Sequence, residues 1–183
     1  ALLESAGLAS APSCSALAFL AAYALDRHGC VIADVRMPDM DGMTLQEELI
    51  KRGSTLPVIV ITGHADVPLA VRAMKAGALD FIEKPFDDVA LISSVKRALA
   101  RAVSTREQAS AAQKAGALIA TLSVRERQVL ELLVAGRSNK VIAYELEISP
   151  RTVEIHRAHV MEKMEAKSLS DLVRAALAAG ISC

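Results

Sequence analysis

Three residues of this 183-residue chain, Asp34, Thr62 and Lys84, each stand at the end of a short apolar run. Together their types fit one chemistry. An aspartate carboxylate can attack phosphorus and form an acyl phosphate. A lysine ammonium can hold the product anion while a threonine hydroxyl donates to another of its oxygens. Singly, each has a plainer explanation, because a strand-end Asp is commonly a turn or cap residue and a Lys before Pro is usually solvated. The reading rests on the three occurring together.

The runs themselves predict what must position these groups. Cys30-Val-Ile-Ala-Asp34 and Pro57-Val-Ile-Val-Ile-Thr62 are short, β-branched and almost continuously apolar, as parallel strands buried on both faces are. Ala78-Leu-Asp-Phe-Ile-Glu83 predicts a third strand, stopped at Lys84-Pro85. Helical stretches are expected between them at about 15–25, 43–52, 66–76 and 86–102, with Thr44 and Asp66 as caps and Gly53 and Gly77 closing two of them. Strands alternating with helices mean βα units and a parallel sheet. In such a sheet functional side chains gather beyond the carboxyl ends of the strands, where Asp34, Thr62 and Lys84 stand.

Residues 104–117, polar and Ala-rich, fit an extension of the preceding helix or a linker, and a partly helical linker ending near Gly116 is the favoured expectation. From Leu118 onward the strand pattern is gone. Ser123-Val-Arg-Glu126 is a capping box opening a helix to about Ala135, and Gly136 closes it. Asn139 to Leu146 makes a second helix, Ile148-Ser-Pro150 breaks it, and a third runs from about 151 to 165. Ser168 or Ser170 starts a fourth, ended by Gly180. Four short helices with a tight turn before the third predict a helix-turn-helix domain. The expected organisation is an α/β domain over 1–103, a linker over 104–117 and an all-α domain over 118–183.

Composition bounds the partners. The 21 Lys+Arg and 21 Asp+Glu cancel, which excludes a wholly basic nucleic-acid-coating protein and an acidic disordered tail. Residues 1–103 carry 10 basic against 12 acidic groups and residues 104–183 carry 11 against 9, so the second half leans toward a polyanion. No apolar run of about 18 residues occurs, and a soluble chain without a membrane partner is expected. Cys14, Cys30 and Cys183 are widely spaced and form no CxxC pair, so a reducing cytoplasm is the expected location.

Ala33-Asp34-Val-Arg-Met-Pro-Asp-Met-Asp-Gly42, Ile61-Thr-Gly63 and Phe81-Ile-Glu-Lys84-Pro85-Phe86 resemble the receiver domain of two-component response regulators, and the wording of 57–86 resembles the FixJ branch. The resemblance implies a flavodoxin-like, doubly wound sheet. It makes Asp34 the phosphoacceptor, Thr62 and Lys84 the switch threonine and invariant lysine, and Phe81 the aromatic switch residue. It implies Mg²⁺ as cofactor, with the Arg36 backbone carbonyl beside Asp34 as a ligand, and a sensor histidine kinase as phosphoryl donor. Receivers begin with a central strand and an acidic pair that carries most of the metal's anionic ligands. Nothing like that pair precedes Ala1, which implies a fragment of a longer gene product and weak metal binding by Asp34 alone.

Leu122–Leu130, Asn139–Leu146 and Ser149–His156 resemble the LuxR/NarL-type helix-turn-helix. On a 100° wheel Val153, Val160 and Met164 share the inward face, with His156 at its edge. The opposite arc, Glu154, Ile155, Ala158, His159 and Glu162, would enter the major groove of double-stranded DNA. Glu can accept from a cytosine amino group and Ile or Ala can touch a thymine methyl. Asn139, Lys140, Arg151, Thr152, Arg157, Lys163 and Lys167 would contact phosphates. His156 and His159, at i and i+3 with no acidic or Cys neighbour in sequence, read as helix residues before a metal pair. The stripe Leu169, Leu172, Val173 and Ala176 is core or a dimer seam, and the family favours the seam.

The reading that follows is a DNA-binding transcriptional response regulator, dimerising on phosphorylation, with RNA polymerase as a further contact. A phosphohydrolase of the haloacid-dehalogenase type also uses a strand-end Asp, a Thr and a Lys, but it needs a second carboxylate two residues after the nucleophile. Arg36 stands there, so the chain is not expected to be an enzyme. A DNA-binding regulator using a degenerate receiver as a dimerisation platform, never phosphorylated, stays open.

Overall fold

The computed structural model describes residues 2–64 and 67–181 and divides into two compact units, Ala1–Thr105 and Arg106–Cys183. Asp66 and Cys183 lie outside the described residues. The first unit contains α1 (Leu2–Ser5), α2 (Ala16–Ala21), β1 (Val31–Asp34), α3 (Gly42–Lys51), β2 (Val58–Thr62), α4 (Val67–Lys75) and β3 (Asp80–Glu83). The helix α5 (Asp88–Ala120) follows, and then α6 (Val124–Val134), α7 (Asn139–Glu145), α8 (Pro150–Lys163) and α9 (Leu169–Ala178).

The three expected strands pair in parallel in the order β1-β2-β3, with Asp34 opposite Ile61 and Thr62 opposite Glu83. β2 shows why the runs had to be continuous. Val58 and Val60 face the layer holding Leu20, Met43, Leu45, Leu49 and Ala73, while Ile59 faces Leu91, Val95 and Ala98. Helices on both faces leave no polar side of the central strand.

Among the described residues β1 has one neighbour, β2. Beside it lies a cleft of about 680 Å³ whose lining includes Leu8, Phe19, Cys30, Ile32 and Leu45.

Caps separate what local sequence dictates from what it leaves open. Asp41, not Thr44, caps α3: its carboxylate accepts from the Thr44 N–H at 2.6 Å. The helix therefore starts three residues earlier, on Gly42, than Thr44 as cap would place it. Gly53 (φ +74°) and Gly77 (φ +92°) hold the left-handed turns expected of them after α3 and α4.

The expected linker is a correction. α5 continues unbroken through residues 104–117 for 33 residues, with Gly116 inside it. Ten of its fourteen residues are Ala, Gln, Glu, Lys or Arg, all good helix formers, and one interior glycine costs only about 1 kcal/mol. Leu91, Val95 and Ala98 of α5 are buried in the first unit, and Ile119 belongs to the core of the second.

The second unit has a single core of Val129, Leu130, Ile142, Val153, Val160, Met164, Leu172 and Ala176. The capping box is present in both halves: Ser123 Oγ accepts from Glu126 N and a Glu126 oxygen accepts from Ser123 N. Ser138, Ser149 and Ser168 cap α7, α8 and α9, and Pro150 sits in the first turn of α8. No helix among the described residues is long and apolar enough to cross a membrane.

Candidate phosphoryl site and DNA-reading surface

Asp34 ends β1 and Lys84 lies one residue past β3, 50 positions apart in sequence. The parallel register brings them together: Lys84 Nζ lies 2.6 Å from Asp34 Oδ2, with the Asp34 side chain 29% exposed. The other carboxylate oxygen accepts the Arg36 N–H at 2.9 Å. Burial works against the charge, but the Lys84 hydrogen bond and the Arg36 N–H outweigh it and hold the Asp34 pKa below its ordinary value. The carboxylate is therefore ionised at neutral pH, open to solvent on one side, and faces a fixed cation.

Thr62 reaches the same end of the sheet, and Lys84 N donates to its carbonyl at 2.7 Å. Its buried hydroxyl is occupied locally, donating to the His64 carbonyl and accepting the His64 N–H, both at 3.2 Å. The structure thus joins Asp34 to Lys84 and leaves the Thr62 hydroxyl turned to its own strand end. Phe81 is half-buried against the α2–α3–α4 layer.

Sequence reasoning passed over Gly42. A Cβ there would lie 2.5 Å from the Asp34 carbonyl oxygen, so no side chain fits without moving the aspartate. Only the Asp-Gly pair before an amphipathic run hinted at it.

Among the described residues no group of three His, Cys, Asp or Glu side chains is placed to hold a metal. One carboxylate already paired with lysine does not by itself make the oxygen cage that Mg²⁺ needs.

For a dimer seam on α4 the sequence offers Val67, Leu69, Ala70 and Ala73 as the apolar residues, and only Val67 of these is exposed. Ala73 is fully buried, Leu69 and Ala70 are half-buried, and Val67, Val71 and Met74 are the exposed apolar residues. The shift follows from the helix having to cover the sheet with its small side.

In the second unit the wheel reading of α8 matches the burial. Val153, Val160 and Met164 are buried, and Glu154, Ile155, Ala158, His159 and Glu162 are exposed. Lys140, Arg151, Lys163 and Lys167 are exposed, and Asn139, Thr152 and Arg157 half-buried. Arg157 donates to the Asn139 side-chain oxygen at 3.3 Å, tying α8 to α7. His156 is packed as expected, but its Nδ1 is buried with no hydrogen-bond partner among the described residues.

Lys163 donates to Glu126 Oε2 at 2.7 Å, and His159 Nδ1 lies 3.6 Å from Glu126 Oε1. No sequence spacing signals this contact. Of the α9 stripe, Leu172 and Ala176 lie in the core, Val173 is half-buried and Leu169 is exposed.

The receiver geometry and the helix-turn-helix surface each have a family counterpart. Residues 1–96 match the response regulator receiver domain, and residues 120–176 match the bacterial regulatory proteins of the luxR family. The chain is 58% identical over 182 residues to the transcriptional regulatory protein FixJ of Azorhizobium caulinodans, covering 99% of this chain and 86% of that protein.

The chain belongs to the FixJ-like response regulators.

Solved structures agree. The response regulator StyR superposes with a TM-score of 0.78 at 39% identity, covering 96% of this chain and 89% of that one. Full-length FixJ from B. japonicum gives 0.57 at 49% identity, covering 100% and 90%. This FixJ-like chain is thus a two-component response regulator with a flavodoxin-like receiver and a LuxR-type DNA-binding domain.

Proposed function

We propose that Asp34 is the phosphoacceptor of this regulator and that its phosphorylation controls DNA binding by α8. The observation that carries the reading is the ionised, partly open Asp34 carboxylate held 2.6 Å from Lys84. A carboxylate oxygen attacks the phosphorus of a histidine kinase's phosphoimidazole. The P–O bond forms as the P–N bond breaks, and the electron pair returns to the imidazole. Lys84 then turns from the carboxylate to a phosphoryl oxygen. Receiver domains use Mg²⁺ for this transfer, and Asp34 with the Arg36 carbonyl is the part of the site these residues would contribute.

The Thr62 hydroxyl leaves His64 to reach the phosphoryl group, and Phe81 follows into the space vacated, a two-state repacking. Dimerisation through α4 and the β3 end follows, with Val67, Val71 and Met74 as the apolar seam.

The second unit reads double-stranded DNA with Glu154, Ile155, Ala158 and His159 at base edges and Asn139, Lys140, Arg151, Thr152, Arg157 and Lys167 at phosphates. Two copies on adjacent half-sites are needed for useful affinity, and promoter-bound dimers would meet RNA polymerase. The receiver spans 1–103, residues 104–117 form its helical connection, and 118–183 form the DNA-binding domain. A regulator that acts on DNA would work in the cytoplasm.

Labelling with acetyl phosphate tests this. Label should appear weakly on the wild-type chain and vanish in Asp34→Asn, and sedimentation at micromolar concentration should show phosphorylated dimer. Label that survives Asp34→Asn overturns the assignment. DNA binding and dimerisation indifferent to phosphorylation would favour the receiver as a mere platform.

A further inference from the structure

Glu126 is a carboxylate in an improbable place. Its side chain is 5% exposed, yet it carries a full charge into the junction of α6 and α8. Burying such a group is costly unless its oxygens are satisfied. Here they are, from two elements: Oε2 accepts the Ser123 N–H at 2.7 Å and Lys163 Nζ at 2.7 Å, and Oε1 faces His159 Nδ1 at 3.6 Å. His159 and Lys163 are four residues apart and so lie one above the other on α8. One carboxylate therefore bonds one turn of the helix that carries the base-reading arc, through Lys163, and lies against the preceding turn at His159.

We propose that Glu126 is a positioning residue for DNA recognition, fixing the rotation and pitch of α8 through Lys163 and His159, so that Lys163 orients the helix and does not neutralise a phosphate. The inference rests on the second unit being a DNA binder. A phosphate that drew Lys163 away would have to compete with a buried carboxylate for it, a costly exchange. Lys140, Arg151 and Lys167 have no acidic partner among the described residues and need no such exchange.

Capping alone is the plainer role for Glu126, and one substitution separates the two. Gln at this position keeps the capping box but not the ion pair. Binding of the full chain is measured on a duplex selected from a random pool and on a nonspecific duplex, across 50–200 mM salt. In Glu126→Gln the released Lys163 should steepen the nonspecific salt slope by about 0.9, roughly a threefold extra loss of affinity over that range. The preference for the selected duplex should fall about tenfold, the scale of one mismatched base pair. Lys163→Gln should leave the nonspecific slope unchanged while losing a similar share of preference.

A slope shallower by about 0.9 in Lys163→Gln would make Lys163 a phosphate ligand and overturn the proposal, as would an unchanged preference in both variants. Should Glu126→Gln fail to fold, the slope of Lys163→Gln decides alone. A wild-type chain that binds neither duplex would instead sink the DNA-binding reading itself.

Discussion

Asp34 and Glu126 are the same chemical arrangement in two settings. Each is a carboxylate paired to a lysine, at 2.6 Å and 2.7 Å, and each accepts a backbone N–H. The Asp34 side chain is 29% exposed and that of Glu126 5%. Exposure decides what each can do. A carboxylate that solvent can reach on one side can also be reached by a phosphoryl donor, and its lysine can change partners at modest cost. A buried one cannot release its lysine without being left as an unpaired charge, so it serves as a fixed point for the helices around it. Reactivity and positioning here differ by access more than by residue type.

Acid is the strongest way to break the comparison. The Lys163 hydrogen bond and the Ser123 N–H lower the Glu126 pKa from 4.5 to about 2. A depressed folded-state pKa gives stability that is complete above 4.5 and is lost as pH falls toward 2. At about 1.4 kcal/mol per unit this is about 3 kcal/mol, and Glu126→Gln should lack it. Asp34 has the same sign, since its pKa is also lowered, so it too loses stabilisation in acid. Acid unfolding followed by far-UV circular dichroism should show the pH 4.5–2 slope flattened more by Glu126→Gln than by Asp34→Asn.

Gly42→Ala probes the other carboxylate. Its Cβ would meet the Asp34 carbonyl oxygen at 2.5 Å, and backbone on backbone must give way. Overpacking of this kind costs about 1–3 kcal/mol. Because the clash falls on the phosphoacceptor's own peptide, acetyl-phosphate labelling should drop more than the stability loss accounts for. Labelling at the wild-type rate in a folded Gly42→Ala chain would mean that Asp34 is not held from that side.

A third comparison lies within α8 and its surroundings. Glu154→Ala or Ile155→Ala should relax preference at one base position, costing about 1–3 kcal/mol for the favoured base. Lys140→Ala should weaken all sequences alike and lower the salt slope by about one. Binding to a panel of duplex variants at two salt concentrations measures both. A changed base preference in Lys140→Ala with none in Glu154→Ala would place the reading face elsewhere.

What was legible in the sequence was whatever one element, or one rule about element ends, determines. Continuous apolar runs located all three strands, and the carboxyl-end rule brought Asp34 to Lys84 across 50 positions. A single helical wheel sorted α8 into Val153, Val160 and Met164 inside and Glu154 to His159 largely outside. The misses lie where two elements negotiate. Ala73 faces inward because α4 must lie close on the sheet, and the wheel alone did not say which small residues that uses. The hold of Glu126 on Lys163 joins α6 to α8 across 37 positions, and its visible signal, the capping box, explained the residue too well to suggest a second role. The helix through 104–117 was left open because polar, Ala-rich text fits a linker and a solvated helix equally.

Salt gives the smallest effect and sharpens the contrast most. Raising ionic strength shortens the screening length from about 10 Å at 0.1 M to about 3 Å at 1 M, and screening acts on pairs that solvent ions can approach. The Lys84–Asp34 pair is approachable, with side chains 40% and 29% exposed. Lys163 is equally exposed at 40%, but the carboxylate it meets is 5% exposed, so ions reach only one end of that pair. The Asp34 pKa should therefore rise toward its ordinary value in 1 M salt, while that of Glu126 should move less. Carboxyl carbon chemical shifts of the two residues, titrated at both ionic strengths, report each site separately. Equal movement would show that solvent reaches the two pairs alike, and the division between a reactive and a positioning carboxylate would have to rest on the backbone around them.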